Sequence, residues 1–259
     1  MNENISEYID KCIEKNAINL FFQPQYCYEN SNINIIGVEV LIRPDPKICH
    51  IDRLIKIATQ TKKISDFGYV IFDKALSILS EWIDKKYVSS SFTMSINISG
   101  AQLKDKHFVS KISSIIEKYD IEYHQIILEI TESSIVDDIN VAKLYQLSKK
   151  GIKISIDDFG TGYSSLSRLK FLPINEIKID KIFVDDITRT DQDKALITAI
   201  FQLTKALNKF VIVEGIEKHS QLDILRDIGF TCFQGFLFSE PENKDEVIST
   251  IKLINSLHF

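Results

Sequence analysis

Apolar positions along this chain change period several times, and the changes mark its elements. Ile5, Tyr8, Ile9, Cys12 and Ile13 recur at helical spacing over residues 3–15, which predicts an amphipathic opening helix. Residues 19–28 (NLFFQPQYCY) and 35–42 (IIGVEVLI) are rich in β-branched and aromatic side chains and flank a polar turn at 29–34. They predict a β-hairpin whose first strand is interrupted at Pro24 and whose second ends at Arg43-Pro-Asp-Pro46. Helices are predicted over 51–61 and 66–83, the second with Phe67, Val70, Ile71, Ile78, Leu79 and Trp82 on one face. From residue 92 the pattern alternates. Strands at 92–98, 125–130, 153–156, 176–179, 210–213 and 231–235 are each followed by a helix. Those helices fall at 107–118, 140–149, a short segment from Ser164, 193–207, 220–227 and 244–257.

Repeated βα units with no linker or composition shift predict a parallel sheet in a single domain over 1–259, with no separate sensory domain. About eight strands in one domain favour a closed barrel over an open sheet. The expected fold is therefore α/β, a modified TIM (β/α)8 barrel with an antiparallel first strand pair.

Composition narrows the functional classes. The chain is 44% apolar and 26% charged, with 9 Gly and 5 Pro, an ordinary globular mixture without low-complexity tracts. A net charge of −5 argues against a binder of DNA, RNA or membrane surfaces. It leaves room for a phosphate substrate if cations supply positive charge locally. Cys12, Cys27, Cys49 and Cys232 are scattered without a CxxC and read as reduced thiols, and the 5 His form no zinc pattern. The opening MNENISEYID is not a signal peptide and no apolar run approaches membrane-spanning length, so the expected location is cytoplasmic.

Candidate chemistry lies at the strand ends. The stretch 152–166 (IKISIDDFGTGYSSL) runs a strand into adjacent carboxylates, Asp157 and Asp158, then into a turn, Phe159-Gly-Thr-Gly162, that needs glycine. Ser164 and Ser165 suit a helix N-cap. Alone, this segment reads as an Asx-type turn and cap. It is one of seven similar places. Glu39, Asn97, Glu129, Asp157 with Asp158, Lys178, Glu214 and Gln234 each stand in an apolar setting near the end of a strand. Each has a local alternative: Glu39 can pair with Arg43, Asn97 can satisfy backbone groups, and Lys178 and Gln234 can sit on a rim. Together they converge on one mouth in a parallel barrel. Carboxylates and an amide oxygen, without Cys or His, suit hard cations such as Mg²⁺ or Mn²⁺. So many acids can hold two ions about 4 Å apart with a shared, acidified water as nucleophile for in-line attack on phosphorus. A further Glu can take the proton and a Lys can stabilise developing charge.

These residues resemble the EAL-domain cyclic di-GMP phosphodiesterases over nearly the whole length. The signature tripeptide is Glu39-Val40-Leu41, an EVL variant. It is accompanied by Gln23-Pro24, Asn97-Ile-Ser99, Glu129-Ile-Thr-Glu132, Asp157 to Leu166, Lys178-Ile-Asp180, Glu214-Gly-Ile-Glu217 and Gln234-Gly235. The resemblance implies hydrolysis of cyclic di-GMP to linear pGpG in bacterial second-messenger signalling. It implies Glu39, Asn97, Glu129, Asp157 and Asp158 as metal ligands for Mg²⁺ or Mn²⁺, held as a pair of ions. Glu214 is the implied general base, helped by Lys178. Gln23, Leu41, Arg43 and Gln234 are implied substrate contacts. Glu132 is implied to steady the loop of Phe159, Gly160, Thr161 and Gly162, which resembles the family's loop that couples metal binding to a homodimer. Regulation would come from expression, from the dimer or from an unidentified regulatory protein. Pro44-Asp45-Pro46 replaces the Trp and His-Pro the family usually carries after the Arg43 position, and Ala58-Thr59 replaces its Ala-Glu. These departures spare the metal set and bear on substrate affinity and dimer packing.

Two other readings use the same residues. A non-catalytic module of this kind would bind the dinucleotide or a partner protein without cleavage. A dinucleotide-cofactor oxidoreductase would use Gly160-Thr-Gly-Tyr-Ser-Ser165 as a phosphate loop, but Ser165 replaces the third Gly, and Asp157 and Asp158 would repel a pyrophosphate.

Overall fold

The computed structural model describes residues 2–29, 32–135, 137–160 and 169–256. Its strands close into a barrel in chain order. They are β1 (Leu20–Glu29), β2 (Asn32–Ile42), β3 (Thr93–Asn97), β4 (Ile126–Thr131), β5 (Lys153–Phe159), β6 (Glu176–Ile179), β7 (Phe210–Val213) and β8 (Cys232–Phe233). β1 is antiparallel to both neighbours, β2 and β8, and every other pair is parallel. The described helices are α1 (Asn2–Lys15), α2 (Ile51–Gln60), α3 (Ile64–Asp84), α4 (Gly100–Leu103), α5 (Phe108–Ile116), α6 (Asp138–Lys149), α7 (Asp191–Ala206), α8 (His219–Ile228) and α9 (Lys244–Ser256).

Strand periodicity divides the molecule into two environments. Outward positions such as Val38, Val40, Met94, Ile96, Leu128, Ile154, Ile156, Ile177 and Ile179 join Phe67, Phe72, Leu76, Leu79, Trp82 and Phe108 from the helices in one apolar core. Inward positions carry mostly polar groups, with a small separate apolar cluster of Cys27, Ile212 and Cys232 against Ile36. The hydrophobic effect therefore acts between sheet and helices and leaves the lumen for chemistry. Among the described residues, no helix is long and apolar enough to cross a membrane.

Several details differ from the sequence expectation. Pro24 does not interrupt β1. The amides of Phe22 and Tyr28 donate to Glu242 O (2.7 Å) and Thr231 O (2.8 Å), away from β2. By period, residue 24 faces that same way, so a missing N–H there removes no bond to β2. β5 runs on to Phe159 instead of stopping at Ile156, because a register shift against β6 absorbs Asp157 and Asp158. The four-residue helix α4 was not expected. Ser99 and Gln102 form a reciprocal capping box around it. The expected helix from Ser164 lies outside the described residues. The reading of four reduced thiols is also corrected. Cys27 and Cys232 are directly opposed across β1 and β8 and joined as a disulfide, while Cys12 and Cys49 are free and buried. Their separation of 205 residues hides a proximity that only barrel closure creates.

Candidate active site

The C-terminal ends of the parallel strands and the start of β1 open at one mouth. Glu39 on β2 is opposite Gln23 on β1, and Asn97 on β3 is in register with Glu129 on β4. Asp157 on β5 and Lys178 on β6 point into the same space, and Glu214 and Gln234 follow the ends of β7 and β8. Lys178 is the centre of the arrangement. Its ammonium lies 2.7 Å from Glu214, 2.9 Å from Glu39, 3.1 Å from Glu129 and 3.6 Å from Asp157, with its side chain 1% exposed. Glu39 thus pairs with Lys178, not with Arg43. Amides complete its shell: Asn97 Nδ2 donates to Glu39 Oε1 at 2.9 Å, and Gln234 Nε2 donates to Glu39 Oε2 at 2.6 Å. Gln234 also donates to Gln23 Oε1 at 3.1 Å and accepts from Gln25 Nε2 at 3.2 Å.

One ammonium among four carboxylates leaves an excess of negative charge, and the acids divide accordingly. Burial penalises the Glu39 carboxylate, but Lys178, Gln234 and Asn97 outweigh that and hold it below the usual range. Burial, then the charge of Glu39, pushes Glu129 well above it. Burial raises Glu214 to about 8 against the opposing pull of Lys178. Burial and the neighbouring Asp157 raise Asp158 to about 6. Burial disfavours the charged Lys178, yet the surrounding carboxylates keep it protonated and raise it well above its ordinary value.

The donor set fits hard divalent cations. Neither Glu129 oxygen accepts a hydrogen bond, although the ammonium stands 3.1 Å from one of them, and Asp157 Oδ1 accepts none. One carboxylate oxygen each from Asp157, Asp158 and Glu214 lie within 4.8 Å of one another. The shift in β5 creates this grouping. Asp158 takes a left-handed backbone, φ 53°, so consecutive aspartates serve one mouth instead of opposite sheet faces. The charge pattern makes a direct prediction. Burial and neighbouring charge favour the protonated forms of Glu129 and Glu214 in the free protein, and a divalent cation held beside them favours the ionised forms. Calorimetry of Mg²⁺ or Mn²⁺ binding in buffers of different ionisation enthalpy is expected to show proton release, with affinity rising from about pH 6 to about pH 8. Binding without proton release would contradict these charge states.

The remaining expected residues divide. Gln23, Glu39, Asp158, Glu214 and Gln234 line a cavity of about 320 Å³ at the mouth. Leu41 is half-buried at the end of β2 and does not line it, and Arg43 is exposed, donating to Ile42 O at 3.3 Å. Phe159 is buried, and the Gly160 amide donates to Glu132 Oε1 at 3.3 Å, tying the start of the loop to a buried carboxylate. Thr161 and Gly162 lie outside the described residues. Asp180, Lys181, Glu217 and Phe236 also line the cavity and had no role in the expected phosphodiesterase site. Asp180 and Glu217 stood within the quoted motifs. Phe236 carried no signal, because only its exposure beside the cavity distinguishes it from a core aromatic. Gly215 turns the chain after Glu214 at φ 69°, where an added Cβ would meet Lys181 Cβ at 2.2 Å.

A closed barrel whose mouth gathers carboxylates, side-chain amides and a buried lysine offers oxygen ligands of the kind that suit hard cations. The EAL domain model matches residues 6–241, and the chain belongs to the EAL-domain family. It is 37% identical over 236 residues to the signaling protein YkoW of Bacillus subtilis, covering 89% of this chain and 29% of that protein. It is 31% identical over 262 residues to MucR of Pseudomonas aeruginosa, a bifunctional diguanylate cyclase/cyclic di-GMP phosphodiesterase, covering 97% of this chain and 38% of that protein. This chain thus spans about a third of the length of these curated relatives. Among solved structures, the EAL enzyme Bd1971 with cAMP and cyclic di-GMP bound superposes with a TM-score of 0.87 at 33% identity, covering 97% of this chain and 69% of that one. The PaMucR phosphodiesterase in complex with c-di-GMP gives 0.85 at 31% identity, covering 94% and 99%.

Proposed function

We propose that this protein is a metal-dependent phosphodiesterase that hydrolyses cyclic di-GMP to linear pGpG. The observation that carries the reading is the single ammonium of Lys178 among four carboxylates, with Glu129 and Asp157 oxygens left without hydrogen bonds. Relatives described as cyclic di-GMP phosphodiesterases support the choice of substrate. Glu39, Asn97, Glu129 and Asp157 would hold one Mg²⁺ or Mn²⁺ ion and Asp158 would complete a second site. Bound cations would polarise the phosphodiester, acidify water and offset repulsion between an acidic mouth and an anionic substrate. Glu214 takes the proton of the attacking water on its carboxylate. Lys178 holds Glu39, Glu129 and Glu214 in place and lends positive charge near the reacting phosphate. Gln23 and Gln234 orient the nucleotide from inside the mouth, while Leu41 and Arg43 extend the contact along the end of β2. Glu132, through the Gly160 amide, positions the loop from Phe159 through Thr161 and Gly162 that would couple the site to a homodimer in the cytoplasm.

The test is incubation of purified protein with cyclic di-GMP and Mg²⁺ or Mn²⁺, with and without chelator, followed by chromatography of the products. Metal-dependent pGpG is the expected result. Saturable binding without product would favour a receptor, and no binding would remove the substrate assignment.

A further inference from the structure

Gln25 takes no part in the proposed chemistry, yet it is 1% exposed and stands directly beneath the mouth. Two residues beyond Gln23 on β1, it faces the lumen as Gln23 does, one layer deeper. Its Nε2 donates to Gln234 Oε1 at 3.2 Å, and among the described residues no other donor reaches that oxygen. The other end of the same amide faces the site. Gln234 Nε2 donates to Glu39 Oε2 at 2.6 Å and to Gln23 Oε1 at 3.1 Å. The surrounding network dictates which end is which. Gln23 Nε2 donates to Ser239 O at 3.2 Å, so its oxygen is the end turned to Gln234. Glu39 also presents an acceptor, so Gln234 must turn its NH2 to both and its oxygen to Gln25. Gln25 Oε1 makes no hydrogen bond, so the donor is the polar end of Gln25 that the structure uses. Gly37, opposite Gln25 in register, leaves the room: an added Cβ would stand 3.2 Å from Gln25 Oε1 and 2.5 Å from Thr93 Oγ1.

We infer that Gln25 is a positioning residue: by anchoring the acceptor end of the Gln234 amide, it keeps the donor end on Glu39. Gln234 is 3% exposed but lines the mouth cavity. Without Gln25 its carbonyl is buried and unpaired, and the cavity gives it space to turn toward solvent. Turning takes the NH2 away from Glu39 Oε2, the oxygen that Lys178 also holds at 2.9 Å. With one donor fewer the Glu39 carboxylate is freer to rotate, and a ligand that is not held in place binds a cation less tightly. The consequence for cation binding rests on the reading of Glu39 as a metal ligand. The anchoring of Gln234 does not.

The test reads the Gln234 side-chain amide by NMR in metal-free protein labelled with ¹⁵N-glutamine, its signal identified by its loss in Gln234→Leu. Both amide protons are hydrogen-bonded in the parent and are expected to exchange slowly with deuterium. Gln25→Met keeps the length and removes the donor, and Gln25→Leu serves if it does not fold. Exchange at Gln234 is then expected to rise about tenfold or more, while the backbone amides of Cys232 and Phe233 keep their parent rates. Gln25→Lys supplies a donor of similar reach and is expected to restore slow exchange, which a packing role would not require. Its added charge excludes it from the metal arm. There, calorimetry is expected to show Mg²⁺ bound about 10- to 100-fold more weakly by Gln25→Met than by the parent. Equal Gln234 exchange in parent and Gln25→Met would overturn the inference. So would faster exchange shared by Cys232 and Phe233, or faster exchange that Gln25→Lys does not reverse. Equal Mg²⁺ affinity would overturn the link to Glu39. A parent that binds neither Mg²⁺ nor Mn²⁺ would count against the phosphodiesterase reading instead, and exchange in the metal-free protein would still decide the role of Gln25.

Discussion

Replacing Glu214 by alanine is expected to lower turnover of cyclic di-GMP by about 10²- to 10⁴-fold while nucleotide binding persists. The geometry separates the two effects. Glu214 contacts Lys178 at 2.7 Å and lines the mouth cavity, whereas Gln23 and Gln234 form a hydrogen-bonded pair beside it without Glu214. Burial raises its carboxyl to about 8 in the free protein, so its basicity already lies near neutral pH. Single-turnover product formation and calorimetry with the nucleotide measure the two effects apart. Normal turnover in the variant would remove Glu214 as the base. Loss of binding together with turnover would make it a structural or metal-holding group.

The second large effect is on the free protein's stability. Lys178→Met removes the cation that four carboxylates share. Breaking a buried pair by deleting one partner costs about 3–5 kcal/mol. The loss should be largest at high pH and in chelator. Without Lys178 the carboxyl groups hold their protons more tightly in the folded chain than in the unfolded one, so folded stability falls as pH rises. Thermal melting of Lys178→Met is expected to be depressed strongly at pH 8 and less at pH 5. Mg²⁺ or Mn²⁺ should recover part of the deficit at pH 8, because a bound cation restores positive charge to the cluster. A melting temperature equal to that of the parent at pH 8 in chelator would show that Lys178 does not offset the carboxylate repulsion.

Chain pattern and tertiary arrangement contribute differently here. Alternating βα periodicity specified the strands from Thr93 onward, because outward Ile, Leu and Met positions recur with a period that only a sheet covered by helices explains. The inward polar positions were legible for the same reason: Glu39, Asn97, Glu129 and Asp157 break apolar runs near strand ends. What the linear order could not carry was which strands meet at the seam. Cys27 and Cys232, and the amide chain from Gln25 through Gln234 to Glu39, exist only because β8 closes on β1. Nor could it carry the bend in β5. A left-handed Asp158 is a choice made by the β6 register, and strand period alone would have sent Asp158 to the opposite face from Asp157. The sequence by itself determined the barrel and the chemical character of its mouth, since hydrophobic period and residue type are local properties. The tertiary structure decided the distances: that four acids share one buried lysine and that Arg43 stays outside. Charge interactions depend on separation and burial, and neither is defined until the barrel closes.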